Sequence, residues 1–157
     1  MKVDNREFNV HRIVLAARSP VFASMFEHDL AEKNTNVVDI PDCTAESFEV
    51  FLHYLYSGCA ETLFVSNVYN VYYAADKYHV DDLKELCVDF MKKNLSIETF
   101  CDIIALSLHH GESKLQKAAT HFFCKNIKKI IKTVHWQKYM KENSTQANEL
   151  LIKALKA

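Results

Sequence analysis

The sequence predicts an α+β fold that is mostly helical, with a small sheet near its start and helices from there to its end. Glycine and proline occur only twice each in 157 residues. Their scarcity disfavours an all-β sandwich or barrel, because such folds need frequent tight turns. Strand-like patterns occur only before residue 41, and from residue 44 onward apolar residues recur at helical spacing.

The predicted sheet has two parts. Near the start, a strand stub turns at Asp4-Asn5 and leads into a short strand at Glu7–Val10. The apolar run Val37–Ile40 predicts a second strand, which Pro41 closes.

Two short helices are expected between these strands. The first is the compact apolar segment His11–Arg18. Ser19 followed by Pro20 predicts the start of the next, because serine is a preferred N-cap and proline suits the first helical position. This second helix is expected to end near His28.

The rest of the chain predicts a helical array. One helix is expected from Thr44 to Tyr56, and Gly58 supplies its C-terminal stop. Ser96 is expected to cap a later helix, and Gly111 separates that helix from the one that follows. The remaining apolar stripes cover residues 68–75, 83–91, 97–108, 115–127, 136–140 and 150–155.

Composition excludes several classes of function. The chain carries 19 Lys and Arg against 20 Asp and Glu, and this balance argues against a nucleic-acid binder that relies on a strong basic footprint. The two glycines, Gly58 and Gly111, are too few for a GxGxxG loop and too far apart for a Walker A loop or a GxSxG nucleophile elbow. With neither an apolar signal segment nor a run of transmembrane length, the sequence predicts a nuclear or cytoplasmic protein.

The cysteines and histidines carry no strong motif. Five cysteines are an odd number, none has CxxC spacing, and free thiols explain them better than disulfides. Cys87 and Cys101 lie at apolar stripe positions, which favours packing over catalysis. His121 and Cys124 lie one helical turn apart, yet no further pair of ligands stands at zinc spacing. We therefore predict no catalytic residue, no metal and no cofactor.

Two surface features bear on partners. The basic run at residues 125–132 suggests contact with nucleic acid or acidic lipid. Its apolar residues recur at helical spacing, however, so we interpret the lysines as the solvated face of a packed helix and predict neither nucleic acid nor membrane as a partner. Six tyrosines on predicted helices or their ends favour protein recognition, because tyrosine is enriched at interfaces.

Three strings show a family resemblance. The run FNVHRIVLAARSPVFASMF at residues 8–26 resembles the signature of the BTB/POZ fold. YLYSG at residues 54–58 and AADKY at residues 74–78 match the family in order and spacing. The closer resemblance is to the speckle-type POZ proteins, carried by MFEHDLAE at 25–32, by residues 87–116 and by HWQKYM at 135–140.

The resemblance implies a domain organisation and a role. Residues 1–94 would form a BTB/POZ domain without the family's first helix and most of its first strand, and residues 95–157 a 3-box with part of a BACK region. Such proteins are non-catalytic adaptors of cullin-3 RING ubiquitin ligases. Leu30 and Glu32 fill the family's hydrophobic-x-Glu contact to the cullin amino-terminal domain. Asp76, Tyr78 and the helix at 97–108 are further candidates for that surface.

The resemblance also implies self-association, with two departures from the family pattern. Residues 1–157 do not include the substrate-binding MATH domain that such adaptors usually carry, and the helix that covers the BTB dimer interface would precede Met1. We therefore expect an open apolar patch around Val14, and a second self-contact including Leu151, as in BACK-region dimers. Homo-oligomers or heterodimers with MATH-containing relatives would follow. The alternative function is a BTB oligomerisation module, for example in transcription regulation, without ligase activity.

Overall fold

The computed structural model describes residues 1–28 and 37–156, and it confirms the α+β, mostly helical fold. Its helices and strands are β1 Lys2–Val3, β2 Arg6–Glu7, α1 Arg12–Arg18, α2 Pro20–His28, α3 Ala45–Ser57, α4 Val68–Lys77, α5 Asp81–Lys93, α6 Phe100–His109, α7 Ser113–Ile130, α8 Val134–Glu142 and α9 Ser144–Leu155. None of these helices is long and apolar enough to cross a membrane.

Strands β1 and β2 form an antiparallel hairpin in which Lys2 pairs with Glu7. Its two turn residues, Asp4 and Asn5, have φ of 48° and 61°, as a two-residue hairpin turn that follows the strand twist requires. The predicted turn is confirmed, although the second strand is shorter and lies earlier than predicted. On the other side of β1, the Lys2 amide donates to the Val38 carbonyl at 2.8 Å. The predicted strand at 37–40 therefore meets β1 only at a single parallel bridge, between Lys2 and Asp39.

The chain divides into two compact units, residues 1–90 and 91–157. The core of the first unit is aromatic. Phe22 and Phe48 lie against Phe51 with ring centroids 6.4 and 5.9 Å apart, and Phe8 packs edge-on against Phe48 at 5.4 Å. This cluster joins the residue after the hairpin to α2 and α3, so most of the stabilisation comes from packing between elements.

The second unit is built around a separate aromatic cluster. Phe123 on α7 lies 5.3 Å from Phe100 on α6 and 4.9 Å from Trp136 on α8, and all three side chains are buried. The predicted segments at 136–140 and 150–155 are both helical and lie within α8 and α9.

Local chemistry places the ends of α2 and α3. The Ser19 hydroxyl accepts a hydrogen bond from the Phe22 amide at 3.2 Å, and Pro20 occupies the first helical position of α2. Gly58 ends α3 with φ of 73°, and its amide donates to the Tyr54 carbonyl at 2.8 Å. The predicted start of α2 and the predicted stop of α3 are confirmed.

Candidate protein-interaction surface

Helix α1 presents an isolated apolar side chain to solvent. Ile13 is 79% exposed, whereas Leu15, about 200° further round the helix, is fully buried. Val14, the residue predicted for self-association, is half-buried. Val14 is therefore the neighbour of the most exposed apolar residue on α1, and the helical angle from Leu15 is the signal that would have identified Ile13.

The start of α1 is tied to α3. The backbone amide of His11 donates to the Tyr56 hydroxyl at 2.8 Å, and the His11 Nδ1 lies 3.0 Å from the same oxygen. This double contact holds the exposed face of α1 in a fixed orientation, which lowers the conformational entropy that a partner would have to remove on binding.

Leu30 and Glu32, the central residues of the predicted cullin contact, lie outside the described residues. Their assignment stays a prediction. The described chain reaches His28 at the end of α2 and begins again at Val37.

Asp76, a further predicted contact, lies on α4 and is half-buried. Its carboxylate forms an ion pair with Lys84 of α5, with 2.7 Å between Oδ1 and Nζ. The next residue, Lys77, forms an ion pair with Asp42, which precedes α3. Both acidic groups therefore face lysines of this chain, and a partner that approaches Asp76 meets a paired carboxylate.

Tyr78 does not fit the contact role that the sequence analysis gave it. Its side chain is only 1% exposed, and its ring stacks on Phe22 with centroids 4.4 Å apart and planes within 8°. Its carbonyl accepts a hydrogen bond from the buried Ser19 hydroxyl at 2.6 Å. Burial raises the pKa of the phenol, so the group stays neutral. Tyr78 is a core residue that positions the end of α4.

The helix predicted at residues 97–108 begins later, with α6 at Phe100. Ser96 and Thr99 form reciprocal hydrogen bonds between side chain and backbone. The Thr99 hydroxyl accepts from the Ser96 amide at 2.9 Å, and the Ser96 hydroxyl accepts from the Thr99 amide at 3.2 Å. These bonds hold residues 96–99 as a turn. Most of the apolar side chains of α6 are buried, and its exposed residues are Asp102 and His109. Glu98, in the turn before α6, is exposed as well.

Three of the five thiols are poorly suited to nucleophilic catalysis. Burial raises the pKa of Cys43 and Cys101 to about 11 and that of Cys87 to about 12. Because the thiolate is the nucleophile, these groups are unreactive near neutral pH. Among the described residues, no three His, Cys, Asp or Glu side chains are placed to hold a metal ion together.

A shallow cavity of about 280 Å³ lies in the first unit between the end of α1 and the start of α5. Its charged lining carries both signs, because it includes Arg18 as well as Asp81 and Asp82. The Arg18 guanidinium lies over the Tyr54 ring at 5.7 Å from its centroid. A lining that is acidic and basic at once selects neither anions nor cations, and we assign no ligand to it.

The second unit also exposes apolar side chains. Leu151, the other residue predicted for self-association, is half-buried on α9, and its neighbours Ile152 and Leu155 are exposed. Val134 at the start of α8 is exposed as well. Each unit therefore carries apolar side chains that a protein partner would cover.

Comparison with known proteins identifies the family. Residues 1–95 match the BTB/POZ domain. The chain is 35% identical over 139 residues to TD and POZ domain-containing protein 5 of Mus musculus, which covers 88% of this chain and 41% of that protein. It is 31% identical over 148 residues to TD and POZ domain-containing protein 2 of the same organism, which covers 94% of this chain and 41% of that protein. The chain spans about two fifths of the length of these curated relatives. It belongs to the BTB/POZ family, whose domains are generally non-catalytic modules for homomeric and heteromeric protein interactions.

Proposed function

We propose that this chain is an adaptor or regulator of cullin-3 RING ubiquitin ligases and binds the amino-terminal domain of the cullin. The observation that carries the proposal is the Leu30-Ala31-Glu32 element, which lies within the BTB/POZ match and soon after α2. The likeness to speckle-type POZ proteins supports the same role. The chain would act by binding alone, and in the nucleus or cytoplasm.

The proposal divides the chain by role. Residues 1–94 form the BTB/POZ domain, and residues 95–157 form a 3-box and part of a BACK region. In the proposed contact, Leu30 would serve as an apolar anchor, and Glu32 would add a charge that sets the register. Asp76 contributes at the edge of this surface, together with Lys84. Tyr78 supports the surface from the core.

Calorimetry with the cullin-3 amino-terminal domain tests the contact. Loss of an interface anchor commonly costs about 2 kcal/mol or more, so Leu30→Asp should weaken binding at least about thirtyfold. Phe64→Asp is a matched control, because Phe64 is an exposed apolar residue of the first unit and lies outside the proposed contact. If the wild-type chain does not bind the cullin, the ligase role is wrong. If Leu30→Asp binds as the wild type does, only the assignment of Leu30 is wrong.

A second candidate function is assembly without ligase activity. The exposed Ile13 beside Val14 favours it, because an apolar side chain on an ordered helix suits a partner of the same family. Such a module would pair with a second copy or with a MATH-containing relative. In sedimentation velocity, Ile13→Asp, Val14→Asp and Leu151→Asp should each weaken association. A dimer unchanged by all three substitutions would exclude these surfaces.

A further inference from the structure

Charge is divided very unevenly between the two units. Residues 1–90 carry seven Lys and Arg against fifteen Asp and Glu, a formal net charge of −8. Residues 91–157 carry twelve Lys and Arg against five Asp and Glu, a net charge of +7. The value of −1 for the whole chain is the near-cancellation of two large opposite charges.

The positive charge of the second unit is concentrated on α7. No Asp or Glu occurs between residues 113 and 133. Basic side chains repeat there at intervals that place them on one side of the helix. We call this set the basic stripe, and all its members are exposed: Lys114, Lys117, His121, Lys125, Lys128 and Lys129 on α7, and Lys132 in the turn after it. At a rise of about 1.5 Å per residue, its helical part from Lys114 to Lys129 is roughly 23 Å long.

The opposite side of α7 is fixed in the core. Leu115, Ala119, Phe123 and Ile130 are all fully buried. The basic stripe therefore has a set orientation toward solvent. In the described part of the chain, no carboxylate pairs with Lys125, Lys128 or Lys129. Like charges three and four residues apart destabilise a helix, so the stripe weakens α7 in isolation, and an acidic partner would relieve that repulsion.

The structure disfavours a membrane or nucleic acid as that partner. A helix that inserts into lipid needs an exposed apolar face, and the apolar face of α7 packs in the core. The stripe has no tyrosine, tryptophan or arginine on which bases could stack. A first unit with a charge of −8 would also repel a long polyanion. Two copies of the chain, each near neutrality, do not repel each other as wholes, whereas their opposite units attract.

We propose that the basic stripe of α7 is a docking surface for the acidic first unit of a second copy of this chain. The first unit offers a matching helix face within α5. Asp81, Glu85 and Asp89 follow at intervals of four, Asp82 lies beside them, and all four are exposed. Leu86, also exposed, adds an apolar contact next to this acidic face.

The contact joins different surfaces of the two copies, so it is heterologous and leads to a ring or an open chain of subunits. It uses neither Val14 nor Leu151, and it does not rest on cullin binding. An interface made mainly of exposed charges is weak and loses strength as salt screens it. By contrast, salt should strengthen the apolar self-contacts proposed above or change their strength little.

Reciprocal charge reversal tests the docking in the full chain. We expect self-association, followed by sedimentation velocity, to weaken at least about tenfold between roughly 50 and 300 mM salt. At low salt, K125E/K128E and D81K/E85K should each weaken association at least about tenfold. An equimolar mixture of the two variants should associate again, because each keeps the face that the other lacks and the reversed faces are themselves complementary.

Matched controls separate this effect from a change in net charge. K153E/K156E reverses two exposed lysines, one on α9 and one just after it, and E46K/E61K reverses two exposed acids of the first unit. Both should associate as the wild type does, and circular dichroism should show all variants folded. A wild-type chain that is monomeric at low salt, or a mixture that fails to associate, overturns the proposal. Binding of single-stranded RNA or of phosphatidylserine vesicles that K125E/K128E abolishes, without any effect on self-association, overturns it in favour of a polyanion.

Discussion

Replacing Tyr78 by alanine should destabilise the first unit strongly. The side chain is 1% exposed, and its ring lies 4.4 Å from that of Phe22 and 5.6 Å from that of Phe51. Truncating a buried aromatic residue to alanine costs about 3–5 kcal/mol, and that cost includes the cavity left behind. Because two ring contacts are lost together, we expect a fall of about 4 kcal/mol in the free energy of unfolding. Such a loss is a large part of the stability of a typical domain.

Urea unfolding followed by circular dichroism measures the effect. Tyr73 is a matched control, because it lies on α4 close to Tyr78 and is 44% exposed. Tyr73→Ala should cost less than about 1 kcal/mol. A Tyr78→Ala variant within about 1 kcal/mol of the wild type would refute the placement of the ring in the core.

The same position separates packing from partner contact. Tyr78→Phe keeps the stacked ring and removes only the hydroxyl, so its stability should stay within about 1 kcal/mol of the wild type. Binding to the cullin should then be unchanged. A Tyr78→Phe variant that is as stable as the wild type and yet fails to bind would show that the hydroxyl contacts the partner, and it would restore the role first predicted from the sequence.

Three further predictions concern buried polar groups and thiols. Ser19→Ala removes both hydrogen bonds of a buried hydroxyl and the cap of α2, so it should lower the free energy of unfolding by about 2 kcal/mol. Ser24 is exposed on the same helix, and Ser24→Ala should change the free energy of unfolding by less than about 0.5 kcal/mol. With a thiol reagent at mildly alkaline pH, the exposed Cys59 should react at least about a hundredfold faster than the buried Cys87 and Cys101, as peptide mapping of the labelled protein would show. Since burial raises the pKa of Cys87 to about 12, the folded state holds this proton more tightly than the unfolded state. The stabilisation that the protonated Cys87 thiol contributes is complete at pH values below the ordinary thiol pKa. It is lost as the pH rises from that value toward 12. Urea titrations across this window should show a decline that is shallower in Cys87→Ala, and an equal decline in both proteins would contradict the assignment.

The sequence predicted the ends of helices where one or two residues decide them. Ser19-Pro20 and Gly58 act through their own backbone and side-chain chemistry, so their effect does not depend on distant contacts. The burial of Tyr78 was predictable as well, because it lies seven residues after the buried Val71 and four after the buried Ala74, and its amide still donates to the Ala74 carbonyl. The contact role given to Tyr78 came from the family resemblance and did not use this spacing.

The strands and the candidate surface were harder to predict because both depend on partners elsewhere in the chain. The strand-like run at 37–40 meets β1 at a single bridge, and β2 ends at Glu7, since pairing and not propensity sets strand length. On α1, the sequence indicated an open apolar side but not which residue it exposes. The exposure of Ile13 follows from the complete burial of Leu15, because the two side chains point to nearly opposite sides of α1.

The net charge of the whole chain is a poor guide to the partners that its two units would bind. Salt screens exposed charges over a distance of about 8–10 Å, so a partner responds to the charges of the unit that it touches. The whole-chain value of −1 describes neither the acidic first unit nor the basic second one. A cationic partner surface is favoured by residues 1–90 and an anionic one by residues 91–157. If α7 docks on the first unit of another copy, self-association competes with the binding of any partner to either charged face. Ionic strength and protein concentration together then determine which contact prevails.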